Sequence, residues 1–355
     1  LPAKIDEWHQ KGVKFLAYIS PHLCADGDLF REASAGGYLL KRADGGDCLV
    51  DFGEFDCGFI DFTNPAAVRW YKQLIINNMI GIGCDGWMTD FSEYFPTDCV
   101  LHDGSDPKIM HNRWPALWAK LAHDAVRAAR REKDIVFFMR AGATGSQAYC
   151  PLMWAGDQNV DWSLDDGLAS VIPAALSLGM TGHGLHTSDI GGYTTLFSMR
   201  RTRELLLRWC EFCAFTPVMR THEGNRPAVN HQFDSDQETI AFFAWATRVH
   251  AALAPYLRAL MKECRETGTP VMRATVLEYP DDPAARKLQY QYFLGRDLLV
   301  APVYTEGADS VSVYVPEDGF ADLWTGENVQ AGESARKAPL GRPAVLARRN
   351  SAFDR

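Results

Sequence analysis

Two aspartates stand at the ends of apolar, strand-like runs. Asp90 lies near the end of the run at residues 86–91, and Asp157 follows the run at residues 152–156, which is rich in Leu, Met and Trp. A charge beside such side chains is costly unless it is hydrogen-bonded or faces a cleft. Two carboxylates are the minimum needed to cleave a glycosidic bond, one as nucleophile and one as acid and base.

Charged residues end several of the predicted strands, namely Asp90, Arg140, Asp157, Asp189 and Arg220. In a parallel barrel the carboxyl ends of the strands meet at one rim, where the reacting groups of barrel enzymes lie. A helix cap or a turn is the ordinary role of a single aspartate in such a place. Five charged residues at one rim favour a site instead.

The surroundings of the two aspartates predict different roles. A basic neighbour such as Arg140 would keep Asp90 charged, which suits a nucleophile. Asp157 lies beside Trp154 and Gly156 without a cation next to it in sequence, which favours the proton-carrying form of an acid/base residue. Glu93 follows Asp90 by three positions and is expected to orient its loop or to meet Arg140.

Composition excludes several classes of protein. With 355 residues, 47% of them hydrophobic, the chain can bury the core of one large domain, or of a large domain and a small one. The net charge of -9 and the lack of a Lys/Arg cluster argue against a nucleic-acid partner. No apolar run reaches the roughly 20 residues that span a bilayer, so no membrane partner is expected. Whether the protein forms a homo-oligomer stays open.

The cysteines and histidines predict neither a disulfide framework nor a metal site. The nine cysteines are odd in number and scattered, which favours reduced thiols in the cytoplasm. His183, His186 and Asp189 could be taken for the ligands of a metal-dependent hydrolase. A zinc site usually needs a further ligand shell, so the expectation is no metal and no cofactor.

Apolar strand patterns alternate with amphipathic helix patterns, which predicts an α/β fold with a parallel sheet covered by helices. The predicted strands are residues 13–19, 86–91, 135–140, 152–156, 184–188 and 215–219, and the predicted helices are residues 66–80, 109–131, 168–178, 198–213 and 235–267. Six strands are visible where a (β/α)8 TIM barrel has eight. Since the chain opens on a helix pattern without a start methionine, the expectation is a barrel that lacks its N-terminal strands.

The pattern changes after residue 268. Short alternating runs at residues 270–276, 298–302, 310–315 and 344–348 are separated by Gly, Pro and Asp turn signals. The sequence therefore predicts two domains, a catalytic barrel over residues 1–268 and a small antiparallel β-sandwich over residues 269–355.

Several segments resemble glycoside hydrolase family 31, a family of retaining α-glycosidases that includes α-glucosidases and α-xylosidases. Residues 86–94 resemble the nucleophile strand of that family, and residues 154–157 its acid/base segment. Residues 138–142 resemble its arginine strand and residues 219–222 its late strand. The agreement covers nearly the whole chain in the right order.

Within the family, longer segments resemble the sulfoquinovosidases, which release the sulfonated sugar sulfoquinovose from its glycosides. These segments are residues 154–163, 184–193 and 220–227, with Gln158 and Asn159 in place of the shorter Gly-Asp-Asn pattern of common α-glucosidases. The resemblance implies Asp90 as nucleophile and Asp157 as acid/base. It also implies that Arg140 and His222 bind sugar hydroxyls and that Tyr193 binds the sulfonate. Trp154, Gln158 and Glu93 are further candidate substrate-binding residues.

The implied reaction is the retaining hydrolysis of α-sulfoquinovosides, such as sulfoquinovosyl glycerol from plant sulfolipid. A family 31 α-glucosidase or α-xylosidase acting on neutral glycosides is the main alternative. A metal-dependent hydrolase and a non-catalytic sugar-binding remnant also stay open. The arginine and tryptophan that complete the family's sulfonate site would come from the early strands that this chain is expected to lack.

Overall fold

The computed structural model describes residues 1–150, 152–222 and 224–354. The chain divides into two compact units, Leu1–Met153 and Trp154–Arg355. The predicted α/β architecture with a following antiparallel part is confirmed.

The first unit alternates strands and helices. Its described helices are α1 (Pro2–Gln10), α2 (Asp28–Ala35), α3 (Pro65–Asn78), α4 (Pro107–His111) and α5 (Trp114–Ala128). Its strands are β1 (Leu16–Ile19), β2 (His22–Cys24), β3 (Leu49–Asp51), β4 (Asp56–Phe59), β5 (Gly86–Thr89), β6 (Val136–Met139) and β7 (Leu152–Trp154), the last of which ends one residue into the second unit.

A parallel sheet forms the centre of the first unit. Strand β5 lies between β1 and β6, and β6 pairs with β7 through Met139 and Met153. Gly86 is required at its position, because a Cβ there would lie 1.9 Å from the backbone oxygen of Val136. The Trp87 ring stacks on Phe137 at 5.8 Å. This close approach of β5 and β6 brings the ends of both strands together.

The strands of the sheet are shorter than predicted. Strand β5 ends at Thr89 and β6 at Met139, so Asp90 and Arg140 lie just beyond the paired residues. A side chain in that position is no longer confined to a face of the sheet, and its direction is set by the following turn.

A small antiparallel sheet of β2, β4 and β3 was not predicted. Its strands have three or four residues each, too few for a visible alternation. It brings His22 and Phe59 into ring contact at 5.0 Å, and His22 also meets Phe91 at 4.7 Å.

The predicted single helix at residues 109–131 is also wrong, because the structure has two helices there. Helix α4 ends at His111, and α5 begins at Trp114. Pro115 stands in the first turn of α5, where the missing N–H of proline costs no hydrogen bond.

The second unit begins with the rest of the barrel-type elements and continues into antiparallel strands. Its described helices are α6 (Leu168–Met180), α7 (Arg203–Ala214), α8 (Gln237–Thr267) and α9 (Thr275–Glu278). Its strands are β8 (Leu185–Thr187), β9 (Met272–Ala274), β10 (Tyr292–Leu294), β11 (Leu298–Ala301), β12 (Ser310–Val315), β13 (Phe320–Asp322), β14 (Asn328–Val329), β15 (Gly332–Lys337) and β16 (Ala344–Arg348).

The predicted strand at residues 215–219 is absent. The single hydrogen of the Thr216 hydroxyl lies within reach of two backbone oxygens, those of Cys213 (2.9 Å) and Val218 (3.0 Å), which holds this stretch in a turn. Just after this stretch, Arg220 forms an isolated parallel bridge with Asp189. An apolar run is therefore not enough for a strand where local hydrogen bonds compete.

Two antiparallel sheets make the sandwich that ends the chain. One has the strand order β14-β13-β16-β11-β10-β9, and the other pairs β12 with β15. Their shared core includes Phe293, Leu299 and Leu346 from the larger sheet and Val313 and Val315 from the smaller one. This arrangement confirms the predicted β-sandwich.

A buried ion pair connects α7 with loops of the sandwich. Arg208 and Glu211 have side chains that are each 3% exposed, and Arg208 Nη1 lies 2.9 Å from Glu211 Oε2. Arg208 also donates to the backbone oxygens of Ala338 (2.9 Å) and Ala308 (2.8 Å). The backbone N–H of Gly341 donates to Glu211.

We expect Arg208→Met to lower the free energy of unfolding by about 3 to 5 kcal/mol, since it leaves a buried carboxylate without its partner. Burial raises the pKa of Glu211 to about 7 against the pull of Arg208. A raised folded-state pKa means that this group stabilises the fold at low pH and loses that contribution as the pH rises through about 7. The variant should therefore have a lower free energy of unfolding at pH 8 than at pH 5.5.

Urea denaturation at both pH values measures this effect. The double variant Arg208→Met, Glu211→Leu should recover much of the loss, because it removes both charges. A single variant as stable as the wild type at pH 8 would show that the pair does not hold α7.

Candidate active site

The Asp90 carboxylate is buried, accepts two hydrogen bonds and forms an ion pair with Arg140. The backbone N–H of Phe91 donates to Oδ1 at 2.8 Å, and Arg140 Nε lies 3.2 Å from the same oxygen. The Tyr18 hydroxyl donates to Oδ2 at 2.6 Å. Donors that bind the charged form of a carboxylate favour its ionisation, so Asp90 has the surroundings of a nucleophile.

The turn after Asp90 is strained. Phe91 (φ 59°) and Ser92 (φ 100°) adopt left-handed backbone conformations, which are unfavourable for residues other than glycine. Contacts around the turn hold it: the Arg140 guanidinium lies 4.2 Å from the centre of the Phe91 ring, and Trp118 Nε1 donates to the Asp90 backbone oxygen at 3.1 Å. Such strain is common where a site needs one particular direction of a group.

Arg140 binds both carboxylates of this turn. Besides its contact with Asp90, its Nη2 lies 2.7 Å from Glu93 Oε1, and its Nε donates to that oxygen at 2.9 Å. Of the two expectations for Glu93, the structure shows the contact with Arg140. Burial, with a smaller contribution from Arg140, lowers the pKa of His22 to about 4, so this ring adds no positive charge near Arg140 at neutral pH.

In the second unit, Asp157 follows the end of β7 and is exposed, whereas Asp90 is buried. Gly156 before it has φ 94°, and the Thr194 hydroxyl donates to the Asp157 backbone oxygen at 2.7 Å. The loop thus fixes the backbone and leaves the carboxylate open to solvent.

Gln158 and Trp154 lie on either side of Asp157 and are both buried. Gln158 Nε2 donates to the Ala155 backbone oxygen at 2.6 Å. The Gln158 backbone oxygen accepts from the N–H of Tyr193 at 2.9 Å. Gln158 therefore joins the Asp157 loop to the Tyr193 loop.

The loop that carries Tyr193 depends on two glycines. Gly191 and Gly192 have φ values of 90° and 77°, and a Cβ on Gly192 would lie 2.7 Å from the Asn159 backbone oxygen. The Tyr193 ring stacks on His222 at 5.2 Å with an angle of 23° between the rings. The structure thus brings together two residues that the sequence predicted as ligands.

Other charged residues of the second unit support these loops. Arg220 pairs with the buried Asp189, and its guanidinium lies 5.9 Å from the Trp154 ring. Arg201, which sequence reasoning missed, is 4% exposed. It donates to the backbone oxygens of His231 (2.9 Å) and Gly192 (3.3 Å). The Lys/Arg-rich stretch around Arg201 is typical of solvated surface, so no sequence signal marked it.

The described residues do not support a metal site at the histidines. Among them, no group of three or more His, Cys, Asp and Glu residues is arranged to hold a metal ion. Burial lowers the pKa of His186 to about 3 and also lowers that of His183. Asp189 is engaged by Arg220.

The two aspartates therefore have contrasting surroundings. Asp90 is buried and receives hydrogen bonds, whereas Asp157 is exposed, so the apolar surroundings that the sequence predicted for Asp157 are wrong. Contrasting environments are what assign different roles to two carboxylates in glycoside hydrolysis.

Sequence comparison identifies the class of protein. The profile of the glycosyl hydrolases family 31 TIM-barrel domain matches residues 2–260, and that of the family 31 C-terminal domain matches residues 268–353. The chain belongs to glycosyl hydrolase family 31, as its motifs predicted.

Two relatives within this family are similar over nearly the whole chain. The chain is 58% identical to the sulfoquinovosidase of Escherichia coli (strain K12) over 351 residues, which cover 99% of this chain and 52% of that protein. It is 49% identical to the sulfoquinovosidase of Agrobacterium fabrum (strain C58), over all of this chain and 54% of that protein. The chain thus spans about half the length of the curated relatives it matches.

A solved structure is similar throughout the chain. It is a family 31 sulfoquinovosidase from E. rectale in complex with the aza-sugar inhibitor IFGSQ, with a TM-score of 0.97 and 51% identity. The match covers 99% of this chain and 53% of that one. In the part of the chain that the structure describes, no helix has the length and apolar character needed to cross a membrane.

Proposed function

We propose that the full-length protein is a retaining α-glycosidase that hydrolyses α-sulfoquinovosides to sulfoquinovose. The observation that carries the chemistry is the buried Asp90 carboxylate, which accepts hydrogen bonds from Tyr18 and the Phe91 N–H and pairs with Arg140. The similarity to two sulfoquinovosidases supports the choice of substrate.

In the proposed mechanism, Asp90 attacks the anomeric carbon and forms a carbon–oxygen bond while the bond to the aglycone oxygen breaks. Asp157 gives its proton to that leaving oxygen. Asp157 then takes a proton from water, whose oxygen attacks the anomeric carbon and releases Asp90. A retaining mechanism of this kind requires the two carboxyl groups to be about 5 to 5.5 Å apart.

Substrate recognition is proposed for six further residues. Arg140 and His222 would bind sugar hydroxyls, and Trp154, Gln158 and Glu93 would shape the site. Tyr193 would donate its phenol hydrogen to a sulfonate oxygen, directly or through one water. Its stacking on His222 supports this role, because a stacked ring has few orientations.

Hydrolysis of 4-nitrophenyl α-sulfoquinovoside beside 4-nitrophenyl α-glucoside tests the proposal. We expect a strong preference for the sulfonated substrate in kcat/KM. An equal or reversed preference would leave the two-carboxylate chemistry in place and favour a neutral α-glucoside or α-xyloside as substrate.

Tyr193→Phe tests the sulfonate contact. A hydrogen bond to a charged group contributes about 1.5 to 3 kcal/mol, so kcat/KM for the sulfonated substrate should fall about 10- to 100-fold. The value for the α-glucoside should change little. Tyr290→Phe is a matched control, because that ring also stacks on an aromatic neighbour, Tyr304 at 4.4 Å, within the sandwich. An equal loss on both substrates would contradict a sulfonate contact.

We also propose that the domain boundary lies at residue 268 and that the protein is cytoplasmic. The gap between the two profile matches, at residues 260 and 268, supports the boundary.

The nine cysteines are all free, which is typical of reducing compartments and supports the cytoplasmic location. The partner we propose is the glycoside substrate, with neither nucleic acid nor membrane.

A further inference from the structure

We infer that Tyr18 is a positioning residue for the nucleophile, holding Oδ2 of Asp90 so that the carboxylate stays charged and correctly turned. This inference rests on the proposed function of Asp90. Neither the sequence motifs nor the names of the relatives assign a role to Tyr18.

The pairing of two strands places Tyr18 beside Asp90. Strand β1 runs parallel to β5, with Tyr18 opposite Met88 and Ile19 opposite Thr89. The Asp90 N–H donates to the Ile19 backbone oxygen at 2.9 Å, which ties the two strand ends together. From this register the Tyr18 phenol reaches the carboxylate without any loop between them.

The hydrogen bond itself is short and charge-assisted. The Tyr18 oxygen lies 2.6 Å from Asp90 Oδ2, in the range of an O–H donor on a carboxylate. The other oxygen, Oδ1, faces Arg140 and the Phe91 N–H. With donors on both oxygens, the carboxylate cannot rotate about its bond to Cβ without breaking one of them.

The bond should matter most when the charge on Asp90 changes. Attack on the sugar converts the carboxylate to a neutral ester, and hydrolysis of that ester restores the charge. A phenol that binds the charged form stabilises it as the leaving group of the second step. Removal of the phenol should therefore make Asp90 both harder to ionise and slower to leave.

Tyr18→Phe isolates the role of the hydroxyl. The phenyl ring stays on β1 opposite Met88, and the group that is lost is the hydroxyl that contacts Asp90 Oδ2. Tyr94 is a matched control, since its ring also lies near this turn, 5.7 Å from Phe91. Among the described residues, the Tyr94 hydroxyl makes no hydrogen bond to Asp90.

Other groups near Asp90 must be considered for its pH dependence. Arg140 on the β6 side stays charged throughout the useful pH range, and Glu93 from the following loop is paired with it. His22 from β2 has its pKa lowered to about 4, mainly by burial, and is neutral above that pH. Tyr18→Phe changes none of these groups. A shift in the acidic limb of the pH profile of kcat/KM therefore reports on the ionisation of Asp90.

The test is the pH profile of kcat/KM for full-length Tyr18→Phe, Tyr94→Phe and the wild type on 4-nitrophenyl α-sulfoquinovoside. For Tyr18→Phe we expect a loss of about 10- to 100-fold at neutral pH, as for other hydrogen bonds to charged groups. Its acidic limb should move to higher pH by about one unit, because the charged form has lost a donor. Tyr94→Phe should match the wild type.

A conservative replacement of Tyr18 should shift the acidic limb of the pH profile in the opposite direction. Tyr18→3-fluorotyrosine keeps the shape of the ring and makes the phenol a stronger donor, so the limb should move to lower pH. This variant keeps the inference testable even if Tyr18→Phe fails to fold. An unshifted limb in a folded Tyr18→Phe or in the fluorinated protein would overturn the inference.

The outcomes separate this inference from the proposed function. A wild type that prefers the sulfonated substrate, with unshifted Tyr18 variants, would leave the function and remove the role of Tyr18. A wild type that prefers 4-nitrophenyl α-glucoside would remove the substrate assignment, and the same profiles measured on that substrate would decide on Tyr18. A wild type that hydrolyses neither would overturn both.

Discussion

For the activity proposed above, Asp90→Asn in the full-length protein is expected to lower kcat on α-sulfoquinovosides by about 10⁴-fold or more, because an amide cannot attack the anomeric carbon. The replacement has nearly the same shape and can still accept a hydrogen bond from the Phe91 N–H through its amide oxygen. Glu93 continues to bind Arg140. The loss should therefore appear in kcat rather than in the amount of folded protein.

Asp85→Asn is a matched control at the other end of the same stretch of chain. Asp85 is also a buried carboxylate with several donors, namely His9 at 2.6 Å, the Phe15 N–H at 2.8 Å and Lys14 at 3.0 Å. It precedes β5, whereas Asp90 follows it. We expect this variant to be less stable and to keep its kcat. An Asp90→Asn protein with more than a few per cent of wild-type kcat would show that Asp90 is not the nucleophile.

Asp157→Ala should lower the rate by an amount that depends on the leaving group of the substrate. Loss of a general acid lowers the rate by about 10²- to 10⁴-fold where the leaving group needs a proton, as glycerol does. Release of 4-nitrophenolate needs much less help, so its first step should be nearly normal and the glycosyl-enzyme should accumulate. Azide, which attacks without a general base, should then speed turnover and yield the α-sulfoquinovosyl azide.

The exposure of Asp157 favours this rescue, because a small anion can enter the space that the carboxylate leaves. Asp165→Ala in the following loop removes another exposed aspartate and should change neither the leaving-group dependence nor the response to azide. If Asp157→Ala lost activity equally on glycerol and 4-nitrophenyl glycosides without rescue, the acid/base role would be wrong.

Much of the fold could be predicted from local patterns. Strand β5 is buried at all four positions, and it appears in the sequence as a continuous, mostly apolar run. Helix α8 shows its ends in sequence: Asp236 caps its start by accepting from the Thr239 N–H, and Gly268 ends it in a left-handed conformation. The motifs around Asp90 and Asp157 are equally local, so the family can be recognised from the residue pattern alone.

The prediction failed where short elements or competing hydrogen bonds decide the structure. The strands of the small sheet at β2, β3 and β4 are too brief to show a period. The Thr216 hydroxyl holds a turn where the apolar run at residues 215–219 predicted a strand. In both cases hydrogen bonds to neighbouring residues, rather than the apolar pattern, decide the local structure.

The sequence by itself determined the family, most strands of the parallel sheet and the positions of the two aspartates near strand ends. Each of these depends on residues that are close together in the chain. Only the tertiary structure decided which groups hold those aspartates. Tyr18 reaches Asp90 across 72 positions of sequence through the register of β1 and β5. The strained turn at Phe91 and Ser92 directs an N–H onto the same carboxylate. Such contacts depend on strand pairing and backbone torsion, which no composition or spacing encodes locally.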